Sequence, residues 1–370
     1  MSHRVQYTTD GEILQDLKKN GELRPWKPKK LRNMVLADSY KRLGHKYEDR
    51  ARGCAGFLEF ETEVENLAKR LKSAVFCKLP LCPMCQWRKA RKKATDVSMV
   101  LDECLKPEKF FDKGLKRFLK LVPVFLTLTV LTCTIDELEA AIEKILKAWK
   151  SLMNHRDFRR AVKGFFRAIE FTYDRDKFIT AKRFRSNPKY YTGRGLKVGG
   201  PNPNYDKIHL HIHAVLLVDQ WLYFKGSDYL ETRDYVALWR SALGADYDPV
   251  VDVRAFKGSD KGGLRKSVNE AAKYIMKDSG VLNPRNKAST DRLVAALTDA
   301  LFKRRLYAYG GIFAKVAREV LKNRPEDDLI HVSEEEPIRE DVATFFESYF
   351  WSFNYLNYLK ITGIVKTDAS

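Results

Sequence analysis

The sequence predicts an α+β fold in which an antiparallel sheet carries its helices on one face. Two observations support this class. Apolar and polar residues alternate in four short segments, and apolar residues recur three or four positions apart in the segments between them. The resulting order β-α-β-β-α-β is that of a ferredoxin-like arrangement. The predicted strands are 121–132, 164–174, 208–218 and 247–256, and the helices begin near residues 134 and 229.

The first strand and helix follow one another directly. In the strand LVPVFLTLTVLT, Thr127 and Thr129 lie opposite the leucines, so that one face is apolar. Thr134 and Glu137 have the spacing of a capping box, which predicts the start of a helix. The apolar positions that this helix would bury are Leu138, Ile142, Ile145, Leu146 and Trp149.

The third strand, Ile208–Val218, reads IHLHIHAVLLV and is the most informative stretch of the chain. His209, His211 and His213 alternate with aliphatic residues, so a strand sends all three imidazoles to one face. Neutral imidazole is the commonest metal-binding side chain, and the spacing therefore predicts a divalent-metal site. Glu170 lies on the polar face of the second strand and is a further candidate ligand. The alternatives are a polar face with incidental histidines, and a Glu170 that pairs with a nearby cation.

A helix predicted from Ser267 onward carries a second polar face. Glu270, Lys273, Tyr274 and Lys277 follow the i, i+3, i+4, i+7 spacing that places them together. Beside a metal site this face fits phosphodiester transfer through a tyrosyl intermediate, with Tyr274 as the nucleophile. Lys273 or Lys277 would steady the phosphate, and Glu270 would activate a water. The structural alternatives are that Ser267 and Glu270 form a capping box and that the lysines face solvent.

Close-set cysteines predict a structural zinc site. Cys82 and Cys85 have the spacing of a zinc knuckle, and Cys77 adds a third thiol nearby. Cys54, in a turn flanked by glycines, is the best fourth ligand. A closed site of four thiolates has no position open for catalysis, so its role would be to hold a small subdomain together. The two other cysteines, Cys104 and Cys133, are interpreted as ordinary buried residues.

The charge balance indicates a polyanionic partner. The net charge is +20 at pH 7 and the pI is near 9.5, which fits DNA, although charge alone also fits a ribosomal or membrane-surface protein. The segment QWRKARKK (86–93) would add a basic ridge for DNA, or simply a solvated helix face. The chain has no apolar run long enough to cross a membrane, and its first residues lack an apolar signal-peptide core. We therefore expect a cytosolic protein without a membrane partner.

Several motifs occur in an order that is familiar from one family. FLTLTV, GFFRAIEFTYD, HLHIHAVLL and EAAKYIMK follow a CxxxxCPxCxWRK segment and precede RRLYAYGGIF. In this combination, over residues 50–320, the chain resembles plasmid rolling-circle replication initiators of the HUH endonuclease superfamily, in the single-tyrosine, zinc-containing branch. One departure is Cys54-Ala55-Gly56, where the family pattern has Cys-Gly, and this leaves the fourth zinc ligand less certain.

The resemblance implies a role for each candidate residue. His211 and His213 would be the core metal pair for Mg²⁺ or Mn²⁺, with His209 as the third ligand and Glu170 as its alternative. Tyr274 would be the nicking nucleophile, and Glu270 would be the acid that aids the terminating hydrolysis.

The implied function is initiation of plasmid replication. Such a protein binds a double-strand origin near an exposed hairpin and nicks one strand, so that a 5′ phosphate becomes linked to Tyr274. The free 3′-OH then primes synthesis by a host DNA polymerase, with a host helicase as a further partner, in the bacterial cytoplasm. Two points stay open: whether the protein acts as a homodimer, and whether Glu270 or a second subunit's tyrosine ends the cycle.

Two other functions fit part of the sequence. A conjugative relaxase or single-strand transposase would use the same chemistry, but relaxases commonly carry the tyrosine ahead of the histidines, and here it follows them. A non-enzymatic, zinc-dependent DNA-binding regulator would explain the charge and the cysteines. It would give no function to the histidine row or to the helix face that carries Tyr274.

These features predict four regions. Residues 1–50 would be a loosely packed basic arm, 51–118 a zinc-binding subdomain that contacts DNA, 119–280 the HUH endonuclease domain, and 281–370 a mainly helical accessory region.

Overall fold

The chain forms two structural units, each built from segments that are distant in sequence. The computed structural model describes residues 4–18, 20–226, 228–255, 268, 278–302, 304–325, 328–332 and 342–367. The cysteine unit comprises Met1–Thr95, Leu282–Thr298 and Arg324–Ser370. The histidine unit comprises Asp96–Val281 and Asp299–Asn323. Within the described residues, no helix is both long enough and apolar enough to cross a membrane.

The cysteine unit combines a small antiparallel sheet with helices. Four strands pair in the order β12-β11-β2-β3, and β1 pairs with β13. The strands are β1 (Arg4–Thr8), β2 (Phe57–Glu63), β3 (Lys69–Ala74), β11 (Thr344–Ser352), β12 (Asn357–Lys360) and β13 (Gly363–Thr367). The helices are α1 (Trp26–Arg42), α2 (Glu48–Arg52), the first part of α3 (Pro83–Cys104) and most of α11 (Lys287–Leu301).

The N-terminal residues differ from the predicted loose arm. Helix α1 buries Trp26, Lys30, Asn33, Ala37 and Tyr40, which recur at alternating spacings of four and three and therefore share one stripe. Lys30 and Asn33 are polar, so the sequence of this helix does not show apolar residues at helical spacing. The prediction of an unpacked arm is wrong for these residues.

The C-terminal residues also differ from the prediction of a mainly helical region. The aromatic segment 344–360 forms the paired strands β11 and β12. In β11, Glu347, Tyr349 and Trp351 are buried at every second position, and aromatic residues at this period favour strands over helices. The accessory region is therefore mixed rather than mainly helical.

The histidine unit contains a five-stranded sheet with helices. Its strand order is β10-β7-β8-β6-β9, and every neighbouring pair is antiparallel. The strands are β4 (Phe111–Asp112), β5 (Arg117–Phe118), β6 (Leu121–Thr129), β7 (Val162–Asp174), β8 (Lys207–Asp219), β9 (Val251–Ala255) and β10 (Tyr307–Gly310). The helices are α4 (Leu138–Asn154), α5 (Arg156–Ala161), α6 (Ala181–Ser186), α7 (Pro188–Thr192), α8 (Gln220–Lys225), α9 (Thr232–Leu243), α10 (Asp278–Val281) and α12 (Gly311–Val320).

The four predicted strands correspond to β6, β7, β8 and β9, which confirms the α+β class. Helix α4 packs against α9, and its buried stripe includes Ile142, Ile145 and Trp149. On β8 the aliphatic residues Ile208 and Ile212 are fully buried. The apolar face of the strand therefore belongs to the core, and the histidine face is the opposite one.

Strand β10 was not predicted, because its segment was interpreted as helical. It pairs with β7 at the edge of the sheet, and α12 begins at the next residue, Gly311. Gly311 has φ +56°, and a Cβ there would lie 2.3 Å from the Lys163 carbonyl oxygen. Only glycine permits this close approach of two backbones, so the paired glycines of RRLYAYGGIF mark a strand-to-helix corner.

Candidate functional site

The histidine row lies in the middle of the larger sheet. Strand β8 pairs with β7 on one side and β6 on the other. The register sets Glu170 opposite His211 and Thr127 opposite His213, and directly paired residues share a face. The ring centroids of His209 and His211 are 4.1 Å apart, and those of His211 and His213 are 5.9 Å apart. The three imidazoles therefore follow one another along one face.

His213 is held by two side chains that the register brings to it. Its Nε2 lies 2.8 Å from Glu170 Oε2, and its Nδ1 lies 3.1 Å from the Thr127 hydroxyl. An ionised carboxylate only accepts, so Nε2–H donates to Glu170, and in the neutral imidazole the Thr127 hydroxyl then donates to Nδ1. The ring also stacks on Phe125, with centroids 5.8 Å apart. These contacts fix the orientation of the His213 imidazole.

The surroundings of His209 affect its protonation. Burial lowers the pKa of His209 below its ordinary value, and a backbone hydrogen bond and the charge of Glu170 only partly oppose this effect. A lowered pKa favours the neutral imidazole, which is the form that binds metals.

The three histidines and Glu170 are residue types that bind divalent ions, but their ligand atoms are not all close to one another. In the described part of the chain, only the four cysteines bring three or more such ligand atoms within 4.8 Å of one another. The spacing of alternate residues along a strand spreads the imidazoles, and the hydrogen bond from His213 occupies Glu170. An ion bound by both His213 Nε2 and Glu170 Oε2 would therefore have to replace this hydrogen bond.

The proposed tyrosine face cannot be located directly, because Glu270, Lys273, Tyr274 and Lys277 lie outside the described residues. Two described neighbours constrain it. Val268 is helical and buried. Gly280 lies against β7, where an added Cβ would be 3.2 Å from the Tyr173 carbonyl oxygen.

The cysteine cluster is already assembled. Cys54 Sγ lies 3.6 Å from Cys85 Sγ and 3.5 Å from Cys82 Sγ, and Cys77 Sγ lies 3.6 Å from Cys85 Sγ. Tetrahedral zinc with Zn–S bonds of about 2.3 Å requires sulfurs roughly 3.8 Å apart. All four thiols are buried, so the predicted set, including Cys54, fits a structural zinc ion.

Groups around the cluster complete its polar environment. The backbone N–H of Cys77 donates to Cys54 Sγ at 3.4 Å, and that of Lys78 donates to Cys85 Sγ at 3.2 Å. Burial raises the pKa of Cys85 well above its ordinary value. Burial likewise raises the pKa of Cys82, whereas hydrogen bonds with the neighbouring cysteines lower the pKa of Cys77. Without a cation Cys82 and Cys85 would therefore keep their protons, and zinc binding would release them.

Lys30 is a buried cation that the sequence did not reveal. Its Nζ donates to the carbonyl oxygens of Arg52 and Cys54 at 2.9 and 2.5 Å. Burial lowers the pKa of Lys30, and negative charge on the nearby cysteine sulfurs only partly opposes this effect. Thr127 was also missed as a partner of His213, although its place on the polar face of the first strand was a usable signal.

Comparison with known proteins connects these sites to one family. A family model described as "Replication protein" matches residues 68–359, which is more than half of the chain. The chain belongs to this replication-protein family. The matched part contains Cys77, Cys82, Cys85 and the whole histidine row.

Curated relatives of the replication-protein family are similar over nearly their full length. A "Protein rep" of Bacillus amyloliquefaciens is 30% identical over 95% of this chain and 98% of its own. A "Protein rep" of Streptococcus pneumoniae serotype 2 is 30% identical over 89% of this chain and 90% of its own. A "Protein rep" of Staphylococcus aureus is 28% identical over 70% of this chain and 95% of its own. No solved structure matches the chain.

Proposed function

We propose that this chain initiates plasmid rolling-circle replication by nicking one DNA strand through a covalent 5′-phosphotyrosine intermediate at Tyr274. The observation that carries the proposal is the row of His209, His211 and His213 facing Glu170 at the centre of an antiparallel sheet. Membership of the replication-protein family supports the biological setting.

The strand order supports an HUH-type nuclease fold. The sheet contains the segment β7-β8-β6-β9. If these four strands are numbered by their order along the chain, their order in the sheet is 2-3-1-4. With all neighbours antiparallel, this is the order of a ferredoxin-like β-α-β-β-α-β unit. We assign the nuclease predicted for residues 119–280 to the histidine unit, which also takes in residues 96–118 and 299–323. We assign the DNA-contacting zinc subdomain predicted for residues 51–118 to the cysteine unit, which contains only its residues up to Thr95.

A length argument supports Tyr274 as the nucleophile. Gly280 adjoins Tyr173, which pairs with Ile208, the residue before His209. Gly280 follows Tyr274 by six positions, and a chain spans at most about 3.6 Å per residue. The chain length thus limits the reach from Gly280 to Tyr274 to about 22 Å, and Gly280 itself lies at the end of the sheet where the histidine row begins.

The proposed chemistry is an exchange of one phosphodiester for another. The Tyr274 oxygen attacks the scissile phosphorus and loses its proton to a nearby base or water. The bond from phosphorus to the 3′ oxygen breaks, and that oxygen takes up a proton to become the primer 3′-OH. Lys273 or Lys277 steadies the phosphate charge, and Glu270 activates the water that later hydrolyses the intermediate.

The two metals would have different roles. A bound Mg²⁺ or Mn²⁺ would polarise the scissile phosphate, and His209, His211 and His213 would hold it, with Glu170 as a further ligand. Thr127 holds His213 Nδ1, so that Nε2 faces Glu170. Zn²⁺ on Cys54, Cys77, Cys82 and Cys85 would be structural, because four thiolates leave no open position.

The test is a nicking assay on single-stranded oligonucleotides that tile the parent plasmid, with Mn²⁺ present. The wild-type protein should form an adduct that survives denaturing electrophoresis, and Tyr274→Phe should form none. Tyr229→Phe is the matched control, because Tyr229 is an exposed tyrosine of the same unit, and it should react normally. An adduct with Tyr274→Phe would show that the nucleophile is wrong, and a specific mobility shift without any cleavage would favour a non-enzymatic regulator.

A further inference from the structure

The insertion between β7 and β8, residues 175–206, has an unusual composition. It contains eight lysine or arginine residues against two aspartates. Two of its rings, Phe178 and Tyr205, are exposed by 59% and 39%. A solvated charged loop would explain the lysines and arginines but not the exposed rings.

The insertion is a folded element with its own internal contacts. Thr180 caps α6 and Asn187 caps α7, and the Asn202 side chain donates to the Asp176 carbonyl at 2.8 Å. Ile179 is fully buried beneath it. Its exposed side chains are therefore presented from fixed positions, as a binding surface requires.

An ion pair anchors the insertion on the histidine face. Asp174, Thr172 and Glu170 alternate along β7 and so point to the same side of the sheet. The Arg183 guanidinium of α6 bonds the Asp174 carboxylate. Asp174 pairs with Lys207, two residues before His209, so the anchor lies about 7 Å along the strand from the first imidazole.

Two cation–aromatic pairs are displayed on this element. The Arg194 guanidinium lies 4.2 Å from the centroid of the Tyr190 ring, and Lys177 Nζ lies 5.6 Å from that of Tyr205. An aromatic face stacks on an unpaired base while the adjacent cation attracts the phosphate. Duplex DNA hides its base faces, so this combination favours a single strand.

We propose that residues 175–206 form a single-stranded DNA-binding arm that guides the substrate strand to the histidine row, with Tyr190 and Tyr205 as its base-stacking residues. The inference deepens the proposed function and rests on it for the identity of the site.

The experiment measures the affinity of the full-length protein for a fluorescein-labelled oligothymidylate of about 16 nucleotides by fluorescence anisotropy. Tyr190→Ala and Tyr205→Ala should each weaken binding by about fivefold or more, because loss of one stacked base has an effect of this size. Tyr190→Phe should bind as the wild type, since it keeps the ring. Arg194→Gln should lower the slope of log affinity against log salt by about 0.7, the value for one phosphate contact on a single strand.

The chain offers a matched control at the other end of β8. Lys225 Nζ lies 4.6 Å from the Trp221 ring centroid, and Trp221 is 51% exposed. Trp221→Ala removes the same kind of pair far from the histidine row and should change affinity by less than about twofold. The proposed DNA-binding role of the arm is contradicted if Tyr190→Ala and Tyr205→Ala both bind as the wild type. It is also contradicted if Trp221→Ala loses as much affinity as these two variants.

Failure of the arm can be told apart from failure of the nuclease proposal. Binding is measured without added Mg²⁺ or Mn²⁺, whereas the nuclease is judged by adduct formation at Tyr274. A wild-type protein that forms the adduct while the tyrosine variants bind normally would overturn the arm alone. A protein that binds through Tyr190 and Tyr205 yet forms no adduct would overturn the nuclease alone.

Discussion

The cysteine cluster and the histidine row are both candidate metal centres, but they are organised in opposite ways. Three pairs of cysteine sulfurs already lie 3.5–3.6 Å apart, all four sulfurs lie within 4.8 Å of one another, and all four residues are buried. The imidazoles are spread along one strand, and His209 and His211 are only half-buried. A closed set of ligands suits an ion that stabilises a fold, and an open row leaves room for a substrate.

The difference extends to the groups around each centre. Backbone N–H groups of Cys77 and Lys78 point at the cysteine sulfurs, and these donors cannot be withdrawn without unfolding the turn. The partners of His213 are the side chains of Glu170 and Thr127, which can reorient when an ion or a phosphate arrives. We therefore expect the first centre to control stability and the second to control activity.

The largest expected effect follows from breaking the closed centre. Cys82→Ser should abolish zinc binding and destabilise the protein by more than about 3 kcal/mol, because structural zinc contributes on the order of 10 kcal/mol to folding. The measurements are zinc content by mass spectrometry and the free energy of unfolding in urea.

Cys104→Ser is the control for this prediction. Cys104 is buried at the end of α3, the helix that carries Cys85, but lies outside the cluster, so this variant should keep its zinc and lose far less stability. Full zinc content in Cys82→Ser would contradict a four-thiol site.

The closed centre was also the easier one to predict. Three of its ligands are close in sequence, and the spacing of Cys82 and Cys85 alone indicates a zinc knuckle. Lys30 gave no signal, because a lysine in a basic segment is usually solvated. Only the fold shows that this ammonium group is buried beside the cluster.

The open centre was predicted from the period of one strand, and its partners required the fold. Alternation along β8 was enough to place three imidazoles on one face. The pairing of Glu170 with His213 depends on the register of β7 against β8, which sequence alone does not define. The edge strand β10 has only four residues, which is too short to show a period. The aromatic strand β11 buries Glu347 and exposes Phe345 and Phe346, so its apolar residues do not mark its buried face.

A substitution in the histidine row's surroundings should have a smaller effect, on metal affinity but not on stability. Glu170→Gln keeps a hydrogen-bond acceptor for His213 but removes the negative charge. It should weaken Mn²⁺ binding by about 10- to 100-fold, while changing the free energy of unfolding by less than about 1 kcal/mol. The measurement is an electron paramagnetic resonance titration with Mn²⁺ on protein that retains its zinc.

Glu143→Gln controls for the change in net charge, because Glu143 is an exposed carboxylate on α4. It should leave Mn²⁺ affinity unchanged. If Glu170→Gln binds Mn²⁺ as tightly as the wild type, the role of Glu170 is limited to orienting His213.

The smallest effect is expected at Ala55, beside the closed centre, where the chain departs from the Cys-Gly pattern of the family it resembles. Ala55 has φ +49° and is fully buried. Ala55→Gly would relieve a left-handed conformation that costs an alanine about 1–2 kcal/mol. Loss of the buried methyl group would destabilise the protein by about 0.8 kcal/mol. The greater conformational entropy of the unfolded chain with glycine would destabilise it by about 0.4–1 kcal/mol more. Because these terms nearly cancel, we expect a change in unfolding free energy within about 1 kcal/mol and unchanged zinc content, measured as for Cys82→Ser. A large loss of stability would mean that the Ala55 methyl group, and not the metal ligands alone, sets the geometry of the turn that carries Cys54.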